Sequence, residues 1–506
     1  MTYDQEPTSQ LGSRTSFGNQ TKRLVLLVSL LFTINHIIVN IALAEKPKLS
    51  DEKITTAVEK ALSVDPSVPD QLIDIDTKRG VITLDGKVPQ LQGKNRATRV
   101  AETVRGVQSV INMISVKDSG LSDDQIRRNI EQILTRDPAT KKYGLEVQVK
   151  NKRAVVSGTV YSWAARNLAE KIASGARGVH AIDNNIAVSF DDDRTDGQIA
   201  DEIRQRLDMD VWINADPLEV SVRNGHVSLS GVVGSAAEKR RAVNDAYVTG
   251  VNKVDDSQLF VKWWAKGKMK RQEVYDVLSD DAIQENVQRA LAYDPRVFWF
   301  SIDATVKEGI VTLKGKVDNL KAKHSAEETA RQTRGVLWVN NHLKVRLPEY
   351  PDDTDIQRRI ETVIKVEPDL ERFALDISVQ NGKVILDGTV GSYYERRLAE
   401  EIAADVKGVL EIQNNLVIPN DWEWAPDAVI QQNIEEELWW SPFVDRDSIT
   451  VTVENGVATL RGMVNSWFEY EAAIDNAKEG GARLVESQLT VSKYLGFSWP
   501  PPKPNP

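Results

Sequence analysis

The sequence has no cysteine among its 506 residues, which excludes disulfide staples, thiolate metal sites, cysteine nucleophiles and a lipidated N-terminal cysteine. Stability must come from packing alone. Histidine is nearly as scarce, and the four beyond the N-terminal segment, His180, His226, His324 and His342, stand apart without HExxH or other ligand spacing. No GxSxG elbow, Walker loop or dinucleotide fingerprint occurs. No cofactor and no metal are expected, and nothing satisfies the geometric outline of an active site, so the chain reads as a binding or structural protein and not an enzyme. An excess of positive charge is also missing: 64 basic residues face 74 acidic ones, a formal net charge of −10. Nucleic acid, which needs many cations against phosphates, is not expected as a partner.

Long apolar runs are absent except near the start. Lys22 and Arg23 precede an apolar stretch from Leu24 to Ile34, and the segment ends in Ala42-Leu43-Ala44. A charged start, a short greasy middle and a small-residue exit predict a secretory signal peptide over residues 1–44, cleaved after Ala44. The competing reading is an uncleaved inner-membrane anchor, since Leu24 to Leu43 spans 20 residues. Asn35, His36 and Asn40 interrupt that span at a cost in hydrocarbon. Both readings place the remainder outside the cytoplasm.

What the chain has in abundance is self-similarity. Gly86, Gly158, Gly231, Gly315, Gly388 and Gly462 recur at spacings of 72, 73, 84, 73 and 74 residues, and the pattern around each is the same. Internal repeats of this kind declare a chain of like units. Each unit opens with apolar residues four apart, as in Ile126-Ile130-Leu134 and Ile283-Val287-Leu291, the stripe of a short amphipathic helix. Acidic clusters just upstream, such as Ser122-Asp123-Asp124, read as N-caps and dipole partners; no calcium-loop spacing accompanies them.

Strict alternation follows, as in Leu218-Val220-Val222, then a turn and a second run such as GVITLDGKV: a hairpin. In the second copy Lys152 replaces the turn glycine, leaving Asn151 for the left-handed role. The recurring glycine near the end of the second strand suits a bulge, a bend or close approach of another backbone, and a bend in preference to the border of a ligand site. Ser162, Ser235, Ser392 and Ser466 then cap a second helix with alanines four apart, Ala97/Ala101 through Ala473/Ala477, a smooth strip that lets the helix lie close on the sheet. A C-capping glycine and a last strand finish the unit. The order is helix, strand, strand, helix, strand.

These residues resemble the BON domain family, by V-x-L-x-G-x-V, the alanine-spaced helix and the closing strand, best seen at Gly388-Val390, Gly408-Val409 and Asn415-Val417. The resemblance implies an α+β protein of six tandem small αββαβ domains, each two helices on a three-stranded sheet, periplasmic or envelope-associated. It also implies binding to phospholipid membranes or interactions there. The units span residues 50–118, 122–190, 195–262, 279–346, 353–418 and 427–492, with an insertion at 263–278 and a Pro-rich tail at 493–506. Short linkers predict beads in a row with neighbour contacts, bent at the insertion.

The insertion supplies the candidate membrane contact: Trp263 and Trp264 beside Lys266, Lys268, Lys270 and Arg271, indoles for the headgroup level and cations for anionic lipid. A linker whose tryptophans pack on a neighbouring domain is the plainer account. Phe298, Trp299, Phe300, Trp439, Trp440 and Phe443, in the loop after the first helix, are expected to cover a core edge. Trp163, Tyr393 and Trp467, exchanging with leucine in other copies, read as packing residues, and the tail from Trp499 as extended and unpacked. Two functions follow: multivalent binding of phospholipid surfaces in support of the envelope, in osmotic stress among other conditions, or a periplasmic scaffold or chaperone holding envelope proteins as clients through strand edges and aromatic patches.

Overall fold

A computed structural model describes residues 49–63, 65, 68, 73–190, 194–264, 278–367, 369–391, 393–418, 425–494 and 497–499. The expected signal peptide lies outside the described residues, as do Lys266, Lys268, Lys270 and Arg271. The six repeats belong to one unit, Asp51–Pro506.

Each repeat is the expected αββαβ unit. Its opening helix, Asp51–Ser63, Asp123–Arg136, Asp196–Met209, Asp280–Tyr293, Asp353–Ile364 or Asp427–Trp440, buries the four-spaced apolar stripe. The hairpin strands pair antiparallel, and the third strand returns parallel to the second across the second helix. That helix runs over Leu91–Glu102, Trp163–Ala173, Ala236–Ala246, Leu320–Arg331, Tyr393–Ala404 or Trp467–Glu479. Its alanine pair is fully buried in all six copies, because only a methyl-sized side chain lets helix backbone and sheet approach this closely. The closing strand is tied down by an asparagine. Asn341 Nδ2 donates to the Lys323 carbonyl at 3.0 Å, while its Oδ1 accepts the Leu343 N–H; Asn112, Asn184 and Asn414 repeat the arrangement.

The recurring glycines have φ between 121° and 141°, and in repeat 4 the hairpin register stays regular up to the glycine: Ile302 faces Gly315 and Asp303 faces Lys314. Close approach of another backbone, one of the expected uses, calls for glycine here. A Cβ on Gly315 would lie 2.1 Å from the Ser301 carbonyl oxygen, and one on Gly231 2.0 Å from that of Pro217.

The acidic clusters do more than cap helices. Ser122 and Thr195 form capping boxes, and Ser279 and Asp352 also accept from the third helical N–H. The aspartate that opens each helix instead reaches the hairpin turn. Asp123 accepts from Asn151 and Lys152 N–H at 2.8 and 2.9 Å, and Asp51, Asp196, Asp280, Asp353 and Asp427 make the same pair of bonds to their own turns. Both central turn residues are left-handed in every copy, Lys152 included at φ 62°, as a two-residue hairpin turn requires.

The repeats are not beads in a row. Within the first half, Leu91 of repeat 1 joins the core of repeat 2. The Trp163 indole of repeat 2 donates to the Val251 carbonyl of repeat 3 at 3.0 Å. Arg240 of repeat 3 returns to Glu102 of repeat 1. The second half joins in the same sense: Arg331 of repeat 4 meets Glu471 of repeat 6 at 2.8 Å, and repeats 4 and 5 share one apolar core. Each half then meets the other through equivalent positions. Arg105 N–H donates to Trp440 O (repeats 1 and 6, 3.0 Å), Arg334 N–H to Met209 O (4 and 3, 2.8 Å), and Arg177 pairs with Glu371 (2 and 5, 3.6 Å). A second set of crossings joins the loops after the opening helices: Arg296 with Asp137 (4 and 2, 3.0 Å) and Trp212 with Phe443 (3 and 6, 4.6 Å). Two groups of three repeats thus face each other, related by pseudo-twofold contacts. Units of about 70 residues have small cores, and such contacts add the burial each lacks alone.

The tail also departs from expectation. Phe497–Trp499 pairs antiparallel with the last strand of repeat 6, Trp499 opposite Val491.

Candidate membrane-contact surface

An exposed apolar side chain forfeits burial worth roughly 1.5–3 kcal/mol, so clustered exposed aromatics call for a partner. Such a cluster sits in repeat 4. After the opening helix the chain turns through Asp294, whose carboxylate accepts the Arg296 N–H at 2.9 Å and the Ser325 and Thr329 hydroxyls. A 3-10 turn, Trp299–Ser301, follows. Ser301 holds it: its N–H and hydroxyl donate to the Phe298 carbonyl at 3.1 and 2.8 Å, and the hydroxyl also reaches Lys316 O at 2.7 Å.

The turn leaves Phe298 and Phe300 each 71% exposed and Trp299 38% exposed. Trp299 stacks on Phe300 with centroids 4.0 Å apart, and Phe298 lies 5.7 Å from Phe300. The expected burial of these three is overturned: nothing among the described residues covers them. Trp439 and Trp440 lie in the last turn of the helix Asp427–Trp440 and not in the loop, both half-buried. Phe443 packs edge-on against Trp212 and Phe468. The same loop in two repeats therefore has opposite uses, an interior aromatic contact between repeats 3 and 6 and an outward ridge on repeat 4.

Of the tryptophans in the insertion, Trp263 is half-buried and takes the Arg105 guanidinium 5.9 Å from its ring centroid; the same guanidinium lies 5.0 Å from Trp439. Burial pulls Arg105 below its ordinary pKa. Trp263 thus belongs to the junction of repeats 1 and 6, the packing account of the insertion. Trp264 is exposed at 39%. The packing tryptophans behave as read: Trp163 lies 4.7 Å from Tyr247 of repeat 3, and buried Trp467 meets Trp338 of repeat 4 edge-on at 4.7 Å. The Tyr393 side chain lies outside the described residues.

Among the described residues no three His, Asp or Glu side chains gather as a metal would need, and no helix is long and apolar enough to cross a membrane.

The BON domain matches residues 50–118, 122–189, 195–262, 279–346, 352–420 and 426–493, most of the chain. The chain belongs to the BON domain family. It is 28% identical over 150 residues to osmotically-inducible protein Y of Escherichia coli, covering 28% of this chain and 75% of that protein. Among solved structures it matches CdsD, a structural protein of the type III secretion system of Chlamydia trachomatis. There it shows 15% identity and a TM-score of 0.12, over 41% of this chain and 90% of that one. The C-terminal domain of CdsD matches with the same identity and score over 44% and 99%.

Proposed function

We propose that this BON protein is exported to the periplasm, where it binds phospholipid surfaces and supports the envelope under osmotic stress. The observation that carries the reading is the aromatic ridge of Phe298, Trp299 and Phe300, held out of every core by a hydrogen-bonded turn. Rings at that exposure gain free energy by entering the headgroup region, where aromatic side chains settle. The signal-peptide pattern before Ala44 supports export, and the relative's name, osmotically-inducible protein Y, supports the link to osmotic stress.

Flotation of the mature chain with phospholipid vesicles at low salt tests the reading. Co-migration with vesicles is expected, and a protein that stays at the bottom of the gradient at every lipid composition overturns it. Crosslinking in intact cells separates it from a scaffold holding protein clients, which gives protein adducts without lipid adducts.

A further inference from the structure

We infer that the lipid-binding site is a single composite edge, built jointly by repeats 2 and 4, and that its ligand is an anionic phospholipid surface; this rests on the membrane-binding reading above. The ridge of Phe298, Trp299 and Phe300 does not stand alone. Two residues before it, Arg296 pairs at 3.0 Å with Asp137 of repeat 2, a carboxylate nearly closed off from solvent. Four residues beyond Asp137 begins the equivalent 3-10 turn of repeat 2, Lys141–Tyr143. The ion pair therefore ties together the segments that lead into the two turns, as the Trp212–Phe443 contact ties the equivalent segments of repeats 3 and 6.

The composition of this edge is that of a headgroup-binding surface. Lys141 and Lys142 are exposed, and among the described residues neither forms an ion pair with a carboxylate. The Lys142 ammonium lies 5.1 Å from the ring of Tyr143, which in turn meets Tyr161, 67% exposed, at 5.7 Å. One turn thus offers aromatic insertion and the other cations with amphipathic tyrosines. The counterpart edge of repeats 3 and 6 is opposite in character. Its turns read Asn214-Ala215-Asp216 and Asp445-Arg446-Asp447, and its aromatics Trp212, Phe443 and Phe468 pack against one another. Anionic lipid is repelled there and attracted at the edge of repeats 2 and 4, so the molecule docks in one orientation and not by six equivalent contacts.

The test uses the mature full-length chain and two variants at exposed positions, F298S/F300S and K141E/K142E, each checked for an unchanged melting temperature. Binding is measured by flotation with vesicles of phosphatidylcholine alone and with equal parts phosphatidylglycerol. Wild type is expected to prefer the phosphatidylglycerol vesicles and to lose binding with added salt. Each variant is expected to bind them at least about tenfold more weakly. Wild-type binding matched by either variant overturns the composite edge while leaving the membrane reading intact. Equal wild-type binding to both compositions overturns the anionic ligand. Failure of wild type on all vesicles overturns the membrane reading itself. A variant that melts early is replaced by F298N/F300N or K141Q/K142Q, judged by the same outcomes.

Discussion

The carboxylate of Asp196 accepts the backbone N–H groups of Asn224 and Gly225 at 2.8 and 3.0 Å, clasping a hairpin turn 28 residues away to the start of a helix. The two bonds hold Asp196 below the ordinary aspartate pKa. A carboxyl whose pKa is depressed by folding adds stability above its unfolded value and loses it as pH falls through the folded one. Asp196→Asn should therefore lower the melting temperature near neutral pH and flatten its decline in acid. Thermal melts from pH 7 to pH 2 check both; a variant melting like wild type throughout shows that the clasp contributes nothing.

Ala326 is fully buried where its helix crosses the sheet. Ala326→Leu should cost about 1–3 kcal/mol by overpacking, measured by urea denaturation, whereas Lys314→Leu, exposed on a strand, should cost much less.

The contacts between the two halves include backbone bonds, ion pairs and packed aromatic rings. The connector at 265–277 is then dispensable once folding is complete. A protease site placed within it should give, after cleavage, two fragments that co-elute as one 1:1 complex on size-exclusion chromatography. Separate elution at micromolar concentration contradicts the paired arrangement.

Burial, with Asp369 beside it, pushes the Glu367 carboxyl up to about 7, at a junction where Gln90 of repeat 1 donates to it and Glu371 lies near. A carboxyl whose pKa is raised by folding favours the protonated state, so its contribution weakens as pH climbs from about 4.3, the unfolded value, toward 7. Glu367→Gln, permanently neutral, should be more stable than wild type at pH 7.5 and lose that advantage at pH 4.5. Melting temperatures at the two pH values decide it: an advantage that is the same at both contradicts the assignment.

Much of each repeat was legible because its signals are local. Four-residue spacing gave the helices, alternation the strands, and paired alanines the close helix-on-sheet contact now seen at Ala97/Ala101 and its equivalents. The clasp by the first aspartate was hidden because helix capping already accounted for an acidic residue there. Its signal was nonetheless present, an aspartate 28 residues before the turn in all six copies while the capping residue varied. Contacts between repeats leave no periodic trace: Arg296 and Asp137 are 159 positions apart and each reads as an ordinary loop charge. Exposure of Phe298 and Phe300 was illegible for the same reason, since Phe443 in the same loop of repeat 6 finds Trp212 to cover it, while among the described residues nothing covers these two. The strand Phe497–Trp499 is too short for alternation to register.

The Arg105 guanidinium donates to a carbonyl 336 positions later in the chain, at Ser441. Contacts of such sequence separation form late and slowly, so the first repeat to be synthesised waits for the last before its surface is closed. A chain truncated before repeat 6 would display that unfinished surface, with Arg105 and Lys60 stripped of their acceptors, a ready mark by which quality-control proteases can tell an incomplete molecule from a finished one.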